Sequence, residues 1–187
     1  MKSIKKKNIC FPESVLIIGT YDEKGNPDAM NAAWGGRSDT DEIAICLAAH
    51  QTTDNIFAKG EFTVAFADEG NVAASDYVGL VSLKDEPRKI EKSGLKHEKA
   101  KDVDAPLFTN YPITLECKVR KFVGSKEEGG ILVGEIVACL VKDEVLDETG
   151  AIDLEKAKLI CLDEAKHVYR KIGEPVAKAF SIGLTLK

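Results

Sequence analysis

Apolar positions in this chain come in bursts of strand length rather than in long helical stripes. The run Ser14 to Tyr21 is β-branched and apolar. The turn-forming stretch Asp22-Glu23-Lys24-Gly25-Asn26-Pro27 then leads into a second segment from Asp28 to Trp34, which predicts a β-hairpin. Glu42 to Ala49 is almost continuously apolar, the pattern of a strand covered on both faces. Thr52 or Thr53 can cap a short helix that carries Ile56 and Phe57 and stops at Gly60, and Glu61 to Ala67 reads as the next strand. Asn71 can start a helix running through Tyr77 to Leu80, and Pro87 and Gly94 bracket a second short one.

Beyond a charged connector, Lys96 to Asp104, the chain alternates with period two. Ile113, Leu115, Cys117 and Val119 interleave with Thr114, Glu116, Lys118 and Arg120, which predicts a half-buried strand. Glu127-Glu128-Gly129-Gly130 turns into a long apolar strand, Ile131 to Lys142, where Gly134 and Glu135 invite a bulge. About six strands, hairpin connections and brief helices predict a mainly β fold, an antiparallel barrel that is closed or nearly so, in one domain over residues 1–187. A doubly wound sheet would need regular crossover helices, and most helical segments here are too brief.

Composition narrows the function classes. The 187 residues carry 26 basic and 31 acidic side chains, a formal net charge of -5, which argues against a general electrostatic grip on nucleic acid. Cys10, Cys46, Cys117, Cys139 and Cys161 are odd in number and far apart, so they read as reduced core thiols without metal-binding pairs. Lys2, Lys5, Lys6 and Lys7 ahead of Val15 to Ile18 faintly imitate a secretory leader. Pro12, Glu13 and Ser14 break that pattern, and no run approaches a membrane span, so a cytoplasmic protein is expected.

His50, His97 and His167 form no metal or triad spacing, and no nucleophile elbow or nucleotide-binding glycine loop is present. No side chain stands out as a catalyst or metal ligand, so any enzyme chemistry would fall to a bound cofactor. One constellation suits such a group. A strand ends at Ala48-Ala49, His50-Gln51-Thr52-Thr53-Asp54-Asn55 follows, and a helix begins there. Small residues admit a planar ligand, while hydroxyls and free amides at a helix start attract a phosphate. Asp28-Ala29-Met30-Asn31-Ala32-Ala33-Trp34-Gly35-Gly36 offers a flat slot with an aromatic wall, the alternative being a core tryptophan beside a glycine loop. Lys84, Arg88, Lys89 and Lys92 around Pro87 are either solvated charges or a phosphate clamp. Tyr77, Tyr169 and Phe180 read first as packing residues.

In order along the chain, these blocks resemble the flavin reductase family with the FMN-binding split barrel, and its flavoredoxin-like branch in particular. The blocks include Ala29-Met30-Asn31-Ala32-Ala33-Trp34-Gly35-Gly36, His50-Gln51-Thr52-Thr53-Asp54-Asn55-Ile56, Glu61-Phe62-Thr63-Val64-Ala65-Phe66-Ala67, Asp76-Tyr77-Val78-Gly79-Leu80-Val81-Ser82 and Lys92-Ser93-Gly94-Leu95. The resemblance implies an antiparallel, Greek-key-like split β-barrel and a homodimer holding noncovalent FMN at the subunit interface. It also implies that Thr52, Thr53 and Lys89 hold the phosphate, with His50 and Asn55 in the same block. Ala48, Ala49, Ala65, Phe66 and Ala67 would line the flavin, Trp34 would flank the ring, and Asp28 to Asn31, followed by Ala32 and Ala33, would meet its polar edge.

The implied activity is oxidoreduction, from NADH, NADPH or a protein donor to flavin or another acceptor. Alternatives are an FMN electron carrier between redox proteins and a flavin-less ligand or interaction module on the same barrel. Asp28 stands where relatives often have asparagine, and Gly129 where many carry histidine. The block Lys84 to Ile90 replaces a more usual Asp-Lys-Phe, which makes Arg88 a second candidate for the phosphate.

Overall fold

The computed structural model describes residues 1–5 and 11–186. Cys10, Lys6 and Lys7 lie outside the described residues. The strands are β1 (Pro12–Ser14), β2 (Leu16–Tyr21), β3 (Pro27–Ala32), β4 (Gly35–Asp39), β5 (Glu42–Leu47), β6 (Glu61–Phe66), β7 (His97–Lys99), β8 (Pro106–Phe108), β9 (Ile113–Ser125), β10 (Gly129–Val141), β11 (Ile160–Asp163) and β12 (Val168–Lys171). The helices are α1 (Gln51–Lys59), α2 (Val72–Leu80), α3 (Lys89–Ser93) and α4 (Leu154–Ala157). No helix among the described residues is long and apolar enough to cross a membrane.

Seven strands form one antiparallel sheet in the order β3-β2-β6-β9-β10-β5-β4. Its two edge strands, β3 and β4, are consecutive in the chain and joined only by Ala33 and Trp34. Laid flat, such a sheet would separate its edges by roughly 29 Å, at about 4.8 Å per strand spacing. Two linking residues reach only about 10 Å. The sheet therefore curls until its edges nearly meet, and Trp34 sits at the seam of a split barrel.

Inside the curl, Leu16, Ile18, Met30, Ile43, Ile45, Leu47, Phe62, Val64, Leu115 and Leu132 pack with Ile56 of α1, which plugs one end. Each such side chain contributes roughly 1.5–3 kcal/mol by leaving water. A second cluster, including Ile17, Ala65, Val78, Ile90 and Phe108, packs α2, α3 and the segment around β8 against the outer face of β2 and β6. Those two strands are thus buried on both sides.

The turn Asp22 to Asn26 closes the expected hairpin, with the Asp22 carboxylate accepting the Lys24 and Asn26 amides. Gly60 and Gly94 end α1 and α3 in the left-handed conformation. The bulges in β10 fall at Val133/Gly134 and Ile136/Ala138.

Several expectations change. Segment 35–39, to which the sequence assigned no element beyond a glycine loop at Gly35-Gly36 as one alternative, is the edge strand β4, because pairing with β5 supplies what its composition lacks. β5 buries only Ile43, Ile45 and Leu47; Cys46 on its other face is exposed. Cys139 is exposed too, Cys161 is half-buried, and only Cys117 among the described cysteines is a core thiol, raised to about pKa 12 by burial. The first half of β9 is buried on both faces, because the Glu116 carboxylate is covered by the connector and accepts the Lys101 and Asp102 amides. That connector itself contains β7.

Candidate functional site

A cleft of about 300 Å³ opens between β3, the start of α1, the end of α2 and Lys89 of α3. A neighbouring trough of about 470 Å³ runs on past Ala32, Ala33, Trp34 and Ala48. Both are bordered by Met30, Asn31 and His50, so the cleft and the trough adjoin. The volumes are of the size that organic cofactors occupy.

Close packing shapes its walls. Gly79 lets α2 lie against β3, since a Cβ there would stand 2.8 Å from the Cβ of Asn31. Asn31 is held from two sides, its amide donating to the Ser75 carbonyl at 3.1 Å and to the Tyr169 hydroxyl at 3.4 Å. Tyr169 in turn donates to Asp76 at 2.7 Å. Burial, together with the Asp76 carboxylate, pushes the Tyr169 hydroxyl up to about 12. Gly129, with φ +85, closes against β5, where a Cβ would meet the Leu47 carbonyl oxygen at 2.4 Å. A histidine in its place would not fit this backbone.

The polar floor is an ion pair. Ile90 packs into the outer core, which seats α3 so that its neighbour Lys89 enters the protein. Lys89 Nζ lies 3.1 Å from Asp28 Oδ1, with side-chain exposures of 3% and 1%. Asp28 also accepts the Ala29 amide at 2.9 Å and the Thr52 hydroxyl at 2.8 Å. Thr53 donates its own hydroxyl proton to the Ala48 carbonyl at 2.7 Å. Above this floor α1 starts at His50, whose side chain makes no capping bond, so the first amides of the helix point outward without intrahelical partners.

Asp28, Asn31, Ala49, His50, Thr52 and Lys89 therefore meet in the cleft, and Ala32, Ala33, Trp34 and Ala48 in the trough. Trp34 is 58% exposed, an open wall rather than a core residue. Other expected residues, Ala65, Phe66, Ala67, Asn55 and Thr53 among them, line neither the cleft nor the trough. Ala65 and Ala67 are buried in the outer core, and Phe66 packs against both the barrel core and the cluster around Ile113, because β6 is flanked by β2 and β9 on its two edges. Asn55 is buried, tying α1 to Thr20 of β2 at 3.0 Å. Thr53, and equally Thr52, is not the helix cap; the cap position belongs to His50. Asp28 lies beneath the helix start, paired with Lys89, in the same cleft as Asn31. Arg88 is exposed beside Glu91 at 3.9 Å and outside the cleft. Sequence reasoning missed Leu80 as a wall residue, and no local pattern in the chain marked it.

A family model for the flavin reductase like domain matches residues 9–170. The chain belongs to that family. The structure of this flavin reductase-like protein is similar to flavoredoxin of Desulfovibrio vulgaris (Miyazaki F), with TM-score 0.91 and 30% identity over 98% of this chain and 99% of that one. It is also similar to flavoredoxin from Methanosarcina acetivorans, with TM-score 0.86 and 26% identity over the whole of both chains, 100% each. Among curated proteins, an uncharacterized protein of Halalkalibacterium halodurans is 32% identical over 120 residues, which span 62% of this chain and 56% of that protein. The family and these structures establish the split barrel and the oxidoreductase kinship. The donor set of this site, an ammonium group, outward helix amides and an alanine-lined trough ending at an indole, fits a flat ring carrying a polar tail.

Proposed function

We propose that this chain binds FMN noncovalently and works as a flavin reductase or flavoredoxin, moving electrons from NADH, NADPH or a protein donor to flavin or another acceptor. The observation that carries this reading is that the cleft and the trough adjoin, setting the polar floor at Lys89 and the start of α1 beside the alanine-lined wall and open indole of Trp34. Bound FMN would supply the two-electron chemistry itself, accepting a hydride and releasing electrons to the acceptor. The protein's part is to hold and shape.

Ala32, Ala33 and Ala48 would let backbone approach a bound ring, and Trp34 would flank it. Hydride transfer requires a donor stacked on an open ring face, and the exposed indole of Trp34 would leave room for one beside it. Asn31, fixed by Ser75 and Tyr169, presents a constant polar rim. The outward amides at the start of α1 suit the anionic end of the cofactor.

A second copy of the chain would complete the site. Cys46, Ile131 and Val123 are paired in register across β5, β10 and β9, and this apolar row is exposed, with Ile131 at 44% and Val123 at 52%. Val176 and Phe180 in the C-terminal segment are likewise fully exposed. Such a surface supports a homodimer. The net charge of -5 suits a cytoplasmic protein docking on a basic redox partner.

The test is anaerobic addition of NADH, then NADPH, to FMN-loaded protein while the flavin absorption is followed. Bleaching by a nicotinamide supports the reductase. Bleaching only by a reduced redox protein supports the carrier, and bleaching by neither removes the electron-transfer role.

A further inference from the structure

The Lys89–Asp28 pair changes what the cleft offers an anion. An anionic carboxylate only accepts hydrogen bonds, so the Thr52 hydroxyl, 2.8 Å from Asp28 Oδ2, must spend its single proton on it. A carbonyl only accepts as well, so Thr53 spends its proton on Ala48 at 2.7 Å. What either hydroxyl can turn to a ligand is therefore a lone pair. Among the described residues Lys89 is the only cation on the cleft floor, and its charge is matched at 3.1 Å by a carboxylate as deeply buried as itself. Lys84, at the rim, is exposed and lies 3.5 Å from Asp54. The floor is thus electrically neutral, and the donors left for an anion are the remaining protons of Lys89 and the outward amides of α1, with the Ser82 hydroxyl and the His50 ring further up the wall.

We propose that Asp28 is a specificity-determining residue that removes the phosphate from recognition, so the cleft takes flavins by ring and ribityl chain and accepts riboflavin about as well as FMN. The inference rests on the FMN reading above and deepens it. A dianion brought to this floor meets no net positive charge and sits close to a buried carboxylate, whose repulsion is strong where water is excluded. Amide dipoles at a helix start offset part of that repulsion, enough to tolerate a phosphate and too little to select for one. With asparagine at position 28 the floor would carry the full charge of Lys89.

The experiment compares dissociation constants of FMN and of riboflavin, measured by quenching of flavin fluorescence, for the native chain and for Asp28→Asn. The native chain is expected to prefer FMN by less than about tenfold. Asp28→Asn is expected to strengthen FMN binding by about tenfold or more, the scale of one charge-assisted contact, with riboflavin unchanged. Should the variant fail to fold, the native comparison decides by itself. A native preference for FMN of tenfold or more overturns the proposal, as does a folded variant whose two affinities move together or stay put. Folded native protein that binds neither flavin overturns the FMN reading as well, whereas tight binding with strong FMN preference overturns this inference alone.

Discussion

Lys89→Met isolates the buried ion pair as a structural element. The methionine keeps the length and apolar stem of the lysine and deletes its charge. Asp28 then keeps the Ala29 amide at 2.9 Å and the Thr52 hydroxyl at 2.8 Å but loses its counter-ion at 3.1 Å. Removing one partner of a buried pair costs about 3–5 kcal/mol, and the two surviving hydrogen bonds place this case near 3 kcal/mol. At this chain length about 3 kcal/mol corresponds to a fall in Tm of roughly 6–12 °C. Urea unfolding at neutral pH should give that loss. Adding Asp28→Asn removes the orphaned charge, so the double variant should lose about 2 kcal/mol less than the sum of the two single variants. A single-variant loss below about 0.5 kcal/mol, or strict additivity, would refute the claim that the two charges neutralise each other in the folded protein.

Three further outcomes follow from contacts around the hollow. Gly79→Ala should destabilise by about 1–3 kcal/mol in chemical denaturation, because the new Cβ meets Asn31 Cβ at 2.8 Å and α2 must move away from β3; a neutral result would mean that this contact gives way freely. Gly129→His should cost about 2 kcal/mol or more, seen as a lower Tm, since the site has φ +85 and a Cβ would lie 2.4 Å from the Leu47 carbonyl. An ultraviolet titration of the folded chain should show Tyr111 and Tyr169 ionising only near pH 12, the first raised by burial and the second by burial with Asp76 beside it. Because folding favours their neutral forms, the stability they supply is complete below the ordinary tyrosine value of 10.0 and is lost as pH climbs to about 12.

Local chemistry was legible wherever neighbours in the chain decide it. Asp22 through Pro27 announced the first hairpin, Gly60 and Gly94 ended helices by adopting positive φ, and the glycine near position 134 marked a bulge. Segment 35–39 was not, because a Gly-Gly-Arg-Ser-Asp string becomes a strand only through pairing with β5. Glu116 defeated the period-two reading because amides 15 and 14 residues before it in the chain supply its partners.

The same limit governs the site. The small residues, Trp34 and Lys89 were identifiable one by one, and the order of the blocks joined them. The state of Asp28 was hidden, since its partners Thr52 and Lys89 lie 24 and 61 residues away and only the barrel's closure brings them together. Ala65 and Ala67 carry the same small-residue signature as Ala48 and Ala49, yet they lie in and just after β6, inside the sheet, while the latter end at an open rim. Pattern cannot separate those two positions; strand order does.

The central claim is that the hollow between Lys89 and Trp34 is a flavin site, and calorimetric titration of the purified chain with FMN tests it most directly. The account predicts saturable uptake of one FMN per chain, sharply weakened when Trp34 is replaced by a bulky charged residue such as glutamate. A folded chain that takes up no FMN, or one that binds it unaltered after Trp34→Glu, would contradict it.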